Sequence, residues 1–246
     1  MSFPGPGHTY DVAVVGAGVA GSEAALACAK AGLDVLLVTT SLDTVYNLVG
    51  DGATLDPPVG TLMMEIHEEA QEDGFVRTWA CHRRAKYVLE HQRGIHLLQS
   101  SVSSLLVTDK EVSGVRTWEG VDRLAKRTAL CVGSFLEARL KVGELTEKAG
   151  RLSEMAYGDL FEDLCSLGFA FEEVGLEADP QNGSLPYTVN CQRFAPAERN
   201  ERFGLGRIAN LYAAGVCASG YLPYEEAAKE GKRLAGQIRE GLREKD

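Results

Sequence analysis

The sequence predicts an α/β fold in which helices cover a central parallel sheet that carries a small antiparallel β meander. Three observations predict it: an apolar strand pattern at residues 10–15 that runs into a glycine cluster, a helical pattern at 19–32, and a second buried strand at 34–38. A strand, a helix and a strand in such close succession form a parallel βαβ unit, whose right-handed crossover puts helices on both faces of the sheet.

The elements follow in order. Residues 1–9 contain Pro4, Gly5, Pro6 and Gly7 with no basic start and no apolar run, so they read as a flexible leader and not as a signal peptide. A loop rich in Gly, Asp and Pro spans 40–60, and helical patterns occupy 62–72 and 77–92, the second with mixed charge on one face. Strand-type runs come next at 95–99, 102–108 and 112–118, with Asp109, Lys110 and Glu111 as a hairpin turn. A buried strand at 128–132 ends in Gly133, and a helix at 157–167 and a strand at 169–174 follow it. Residues 175–206 hold most of the remaining Pro, Gly and Asn without a sustained period, which predicts a long loop. A last strand at 211–214 runs into Gly215. The amphipathic helix at 224–242 gathers its basic residues toward the C-terminal half, where the helix dipole favours them.

Composition narrows the function classes. With 45% hydrophobic and 24% charged residues the chain resembles ordinary globular proteins. Its richest apolar stretch, 12–37, is broken by Glu23, Lys30 and Asp34, so no run of about 18 apolar residues suits a membrane and a cytoplasmic location is expected. A net charge of -10 disfavours non-specific binding to a phosphate backbone. The six cysteines lie far apart with no C-x-x-C pair, which argues for reduced thiols and against zinc. Cys28, Cys131 and Cys165 sit among apolar neighbours and read as small buried hydrophobes. His8, His67, His82, His91 and His96 share no metal spacing, so no metal site is expected and none is assigned a catalytic role.

The run Gly16-Ala17-Gly18-Val19-Ala20-Gly21 places G-x-G-x-x-G between a strand and a helix, the context in which this motif binds a dinucleotide pyrophosphate. Gly16 serves the tight turn, Gly18 the close approach of the phosphates, and Gly21 the packing of helix on sheet. The anion would sit on the unpaired amides of the helix N-terminus. The second strand of such a unit usually ends in an acid that holds a ribose hydroxyl; here Thr39 and Thr40 stand there, offering a weaker hydroxyl contact. These features predict a Rossmann-like FAD/NAD(P)-binding fold, with residues 1–246 as a single FAD-binding domain.

Three stretches resemble the glucose-inhibited division protein A family of FAD-dependent enzymes that modify the wobble uridine of tRNA. The first, residues 10–44, joins the glycine motif to Ser22-Glu23-Ala24-Ala25 and then to Thr39-Thr40-Ser41-Leu42-Asp43-Thr44. The second contains Gly133-Ser134-Phe135-Leu136, Val142-Gly143, Ala149-Gly150-Arg151 and Leu167-Gly168-Phe169. The third runs from Asn210 through Gly215 to Tyr224-Glu225-Glu226-Ala227-Ala228. The resemblance implies an FAD-binding set of Gly16, Gly18, Val19, Ala20, Gly21, Thr39, Thr40, Ser41, Val102, Gly133, Ser134, Gly215, Val216, Tyr224, Glu225 and Ala227, with the last helix pointing at the flavin. It also implies an oxidoreductase with NADH as a candidate reductant and tRNA or a tRNA-modifying protein as a candidate partner; a homo-oligomer stays open.

The departures from the family define the alternatives. Family enzymes are more than twice this length, and their inserted domain, which helps bind NADH and tRNA, belongs where residues 175–206 run. The family's cysteine falls near Gly50, within Asn47-Leu48-Val49-Gly50-Asp51, where this chain has none. Cys191 and Cys217 are the replacement candidates, weighed against a bystander role, and no catalytic residue is assigned. A non-catalytic flavin-binding module, a subunit of a split assembly, and a relative of the folate- and FAD-dependent tRNA uridine methyltransferases are the alternative readings. Arg77, His82, Arg83, Arg84 and Lys86 form a basic group that would meet tRNA phosphates or an acidic partner, or serve simply as a solvated helix face.

Overall fold

The computed structural model describes residues 3–49, 55–72, 75–152, 154–178 and 185–244. The chain begins with β1 (Thr9–Val15), α1 (Val19–Lys30), β2 (Val35–Thr39) and α2 (Leu62–Ala70), then β3 (Gln71–Glu72), β4 (Phe75–Val76) and α3 (Thr78–His91). It continues through β5 (Ile95–Gln99), β6 (Val102–Thr108), β7 (Glu111–Thr117) and β8 (Asp122–Leu130) to the short strands β9 (Arg139–Val142), β10 (Leu145–Glu147), β11 (Ala149–Arg151) and β12 (Glu154–Met155). The last elements are α4 (Gly158–Ser166), β13 (Phe171–Ala178), β14 (Tyr187–Phe194), β15 (Leu211–Ala213), α5 (Val216–Ser219) and α6 (Tyr224–Arg243).

The main sheet has the order β5-β2-β1-β8-β7-β6. Strands β5, β2, β1 and β8 are parallel, and β8 pairs on its other edge with β7 through residues 122–124 and with β15 through residues 128–130. Side chains of a strand alternate between faces, so the central strands feed two cores. Val12, Val14, Val35 and Leu37 pack with α1, α2, α3 and α6, whereas Ala13, Val15, Leu36 and Val38 pack with Leu160 and Leu164 of α4. Helices α1 and α6 meet at a glycine: a Cβ on Gly231 would stand 2.2 Å from the Ala20 carbonyl oxygen. The α/β fold with its antiparallel β6–β7 meander is the one expected.

Two expectations are corrected. Residues 175–206 are not one long loop: β13 extends to Ala178 and pairs antiparallel with β14, inside a second sheet of order β10-β9-β14-β13. Tyr187, Val189 and Cys191 alternate with the exposed Thr188 and Asn190 and pack on Leu140 and Ala149. This period-2 signal is short, and the Pro, Gly and Asn residues around it mask it. Residues 3–8, expected as a flexible leader, make specific contacts: the Phe3 ring meets His96 edge-on at 5.9 Å and lies under Arg123, and His8 Nε2 is 2.6 Å from the Asp34 carboxylate.

Candidate functional site

The carboxyl end of β1 lies between β2 and β8, the place where the strand order reverses and where open α/β sheets bind ligands. The three glycines that follow have different physical roles. Gly16 has φ +101°, and a Cβ there would stand 2.3 Å from the Cys131 carbonyl oxygen. A Cβ on Gly21 would stand 1.9 Å from the Gly16 carbonyl oxygen. Both glycines are demanded by the fold. Gly18 has an ordinary φ of -70°, and a Cβ on it would meet nothing within 4 Å, so the protein itself does not require glycine there.

The N-terminus of α1 is equally open. Its N-cap is Gly18, which supplies no side-chain hydrogen bond, and its first turn contains no acid. The contrast with α2 is direct: Thr61 Oγ1 accepts from Met64 N, and the buried Glu23 carboxylate accepts from Leu62 N at 2.6 Å, from Met63 N at 2.9 Å and from the Tyr46 hydroxyl at 2.7 Å. Burial pushes the Glu23 carboxyl above its ordinary range. The chain thus places its own carboxylate on α2 and leaves Gly18, the N-cap of α1, in the wall of a cleft.

That cleft is narrow, about 60 Å³, and lined by Gly16, Gly18, Thr39, Thr40, Thr44, Asn47, Gly133, Arg151, Glu154 and Tyr157. A second cavity of about 430 Å³ is lined by Ser134, Arg151, Tyr187, Val216, Tyr224 and Glu225, among others. Arg151 borders both, donating to the Asn47 carbonyl oxygen at 2.8 Å with Glu154 at 3.7 Å. Burial pushes the Glu154 carboxyl up while Arg151 works against it, and burial likewise raises the Tyr157 phenol.

The structure brings together Gly16, Gly18, Thr39, Thr40 and Gly133 in the first cavity, and Ser134, Val216, Tyr224 and Glu225 in the second. The other residues of the expected set line neither. Val19 and Ala20 are buried in the first turn of α1, Val102 lies in the core on the α4 face of the sheet, and Ala227 packs against the core on the opposite face. Gly215 N donates to the Glu230 carboxylate at 2.6 Å, and Ser41 caps the turn that follows β2 by accepting from Asp43 N. The Thr39 hydroxyl donates to the Ser41 carbonyl oxygen at 3.1 Å. Tyr224 accepts from Val49 N and Glu225 from Asp56 N, tying α6 to the loop after β2. Arg151, Glu154, Asn47 and Tyr187 were not expected at the site; of these only Arg151 stands in a family-like stretch, and no spacing rule joins it to the glycines.

Among the thiols, Cys191 and Cys217 are buried, and burial pushes them up to about 11 and about 12, so both are neutral structural groups at neutral pH. Cys165, expected to be buried, is exposed on α4. Gly50 and Asp51 lie outside the described residues. In the basic group, Arg84 pairs with Glu69, Lys86 approaches Glu90, and the His82 ring is 2.7 Å from the Val45 carbonyl oxygen. Among the described residues no cluster of His, Cys, Asp and Glu is fit to hold a metal, and no helix is long and apolar enough to cross a membrane.

Comparison with known proteins shows the family. The family model described as Glucose inhibited division protein A matches residues 11–80 and 70–175. The tRNA uridine 5-carboxymethylaminomethyl modification enzyme MnmG of Chlamydia caviae is 32% identical over 198 residues, which cover 70% of this chain and 32% of that enzyme. The enzyme of the same name from Geobacter metallireducens is 33% identical over 196 residues, 69% of this chain and 31% of its own. The chain therefore spans about a third of the length of these curated relatives. The crystal structure of the GidA-related protein from Thermus thermophilus superposes with a TM-score of 0.86 at 42% identity, covering 96% of this chain and 100% of that one. Aquifex aeolicus GidA shares the fold, with a TM-score of 0.82 at 16% identity over 94% of this chain and 64% of its own. This chain belongs to the glucose inhibited division protein A family.

Proposed function

We propose that the chain is a flavoprotein that holds FAD along the two cavities bordered by Arg151 and takes part, as an oxidoreductase, in tRNA uridine modification. The observation that carries the reading is Gly18: the fold tolerates a side chain there, yet the residue is glycine, at the uncapped N-terminus of α1. A pyrophosphate approaching the amides of that turn is the one neighbour a Cβ would obstruct. The first cavity would take the phosphate and ribose end, with Thr40 and Thr44 as hydroxyl contacts, and the larger one the ring, walled by Tyr187, Val216 and Tyr224. A bound flavin would supply hydride and electron transfer; the chain would bind it, orient it and limit water access. Arg151 lines both cavities and would lie between the phosphate and ring ends.

The visible absorption spectrum of the purified chain, before and after anaerobic NADH, tests this. Flavin bands that bleach with NADH faster than free FAD does support a self-sufficient oxidoreductase. Properly folded protein that carries no flavin and takes up none on addition of FAD overturns the reading. Loss of wobble-uridine modification in a deletion strain tests the tRNA role separately.

A second reading has its own observation. Both candidate thiols are buried and neutral, and no cysteine stands near Gly50, which favours a flavin-binding module or one subunit of a split assembly. Flavin bands that persist with NADH would support it. The names of the curated relatives favour carboxymethylaminomethyl chemistry over folate-dependent methylation.

A further inference from the structure

At the opposite end of β1 from the glycine turn lies a cavity of about 580 Å³, within the ordinary range for small-molecule sites. The amino-terminal residues Thr9 and Asp11 of β1, residues 124–127 of β8 and the last turns of α6 build it. Leu33, Val112, Leu124 and Leu242 give it an apolar lining, and four cations, Lys126, Arg127, Arg239 and Arg243, share its wall with only two carboxylates, Asp11 and Glu111. Those carboxylates are engaged, since Asp11 accepts from Lys126 at 2.8 Å and from Asp34 N, and Glu111 accepts from Asn210.

Arg127 adds a buried charge to that wall. It is 4% exposed and donates to the Lys126 and Gly241 carbonyl oxygens at 2.8 and 2.7 Å, and no carboxylate pairs with its charge among the described residues. A buried cation without a counter-ion is costly unless something outside the chain compensates it. Arg239 and Arg243, one helical turn apart on α6 and both exposed, likewise make no ion pair among the described residues. Guanidinium groups are the side chains best suited to planar, two-point recognition of phosphate oxygens.

We infer that this cavity binds a small molecule bearing two or more phosphates, of the nucleoside diphosphate class, with the phosphates on Arg239 and Arg243, the buried charge of Arg127 in the wall, and the body over Leu33, Leu124 and Leu242. The concave apolar lining favours a small ligand over a nucleic acid, which would track a basic stripe across the surface. The inference is independent of the flavin reading.

The test is calorimetric titration of the full chain with ADP, performed on wild type, on the double variant Arg239→Ala/Arg243→Ala and on Gly18→Ala. ADP also resembles half of a dinucleotide, so the Gly18 variant reports binding at the glycine turn. The expected result is ADP binding that survives in Gly18→Ala and weakens roughly tenfold or more in the double variant, the loss due to a charge-assisted hydrogen bond. Circular dichroism of the double variant, whose two replaced side chains are exposed, verifies that it remains folded. Absence of binding at millimolar ADP overturns the inference. So does binding lost only in Gly18→Ala, binding unchanged in both variants, or binding of heparin without ADP.

Discussion

Replacing Gly18 by alanine separates a ligand-imposed glycine from a fold-imposed one. At φ -70°, ψ -171° the backbone is unstrained for any residue, and the added methyl meets no protein atom within 4 Å. Two small effects act on the folded chain. Reduced freedom of the unfolded chain stabilises a tolerated Gly→Ala change by about 0.4–1 kcal/mol. Alanine is a poorer N-cap than glycine by a roughly similar amount. They offset one another, so Gly18→Ala should unfold within about 1 kcal/mol of wild type. Its FAD affinity should fall much further. A methyl that displaces the pyrophosphate removes one or two charge-assisted amide bonds worth about 1.5–3 kcal/mol each, or roughly tenfold to a hundredfold per bond. Gly21→Ala is the opposite case: its Cβ would lie 1.9 Å from the Gly16 carbonyl oxygen, and overpacking of that kind costs about 1–3 kcal/mol or more of stability. Urea unfolding of the flavin-free chains and fluorescence titration with FAD measure the two quantities. Wild-type FAD affinity in Gly18→Ala, or a collapse of its stability, would refute the division of roles drawn from the backbone.

The remaining predictions concern the rest of the chain. A thiol reagent should label Cys165 alone in the folded protein, slowly at neutral pH because partial desolvation and the nearby Glu137 and Glu162 carboxylates raise that thiol, and Cys165→Ser should abolish the labelling; reaction of Cys191 or Cys217 in the native chain would contradict their burial. Glu198 accepts from Arg207 Nη2 at 2.9 Å and from Ala170 N at 3.0 Å, and the Arg207 guanidinium holds its carboxyl below the ordinary value. With the folded value depressed, the stabilisation is present above the unfolded glutamate value of about 4.3 and is lost as pH falls through the folded value. The stability gap between wild type and Glu198→Gln should therefore be open at neutral pH and close on acidification, and a gap independent of pH would refute the coupling. Glu23→Gln should destabilise by about 1–3 kcal/mol, because one amide oxygen cannot serve Leu62 N, Met63 N and the Tyr46 hydroxyl as two carboxylate oxygens do; urea unfolding measures it, and an unchanged midpoint would refute the capping role.

Much of the scaffold is written locally. The βαβ unit, the hairpin at Asp109 and Lys110, and the last strand and helix all rest on patterns whose residues lie within a few positions of one another, and the structure realises each. The β13–β14 hairpin was not legible in this way, because its apolar residues mean little until Leu140 and Ala149 stand opposite them. Cys165 shows the same limit: an apolar neighbourhood along the chain did not specify which side of α4 the thiol would occupy.

At the site, the G-x-G-x-x-G spacing by itself marked the turn and the helix that we propose receive a phosphate. It did not determine which glycine answers to the fold and which to a ligand. That distinction needs the Cys131 carbonyl beside Gly16, the Gly16 carbonyl beside Gly21 and the empty space beside Gly18. Arg151 reaches Asn47 across 104 positions, and Arg127 reaches Gly241 across 114. Periodicity and turn chemistry act between near neighbours and so are carried by the sequence; the surroundings of a buried charge are assembled from distant segments, and only the packed chain decides them.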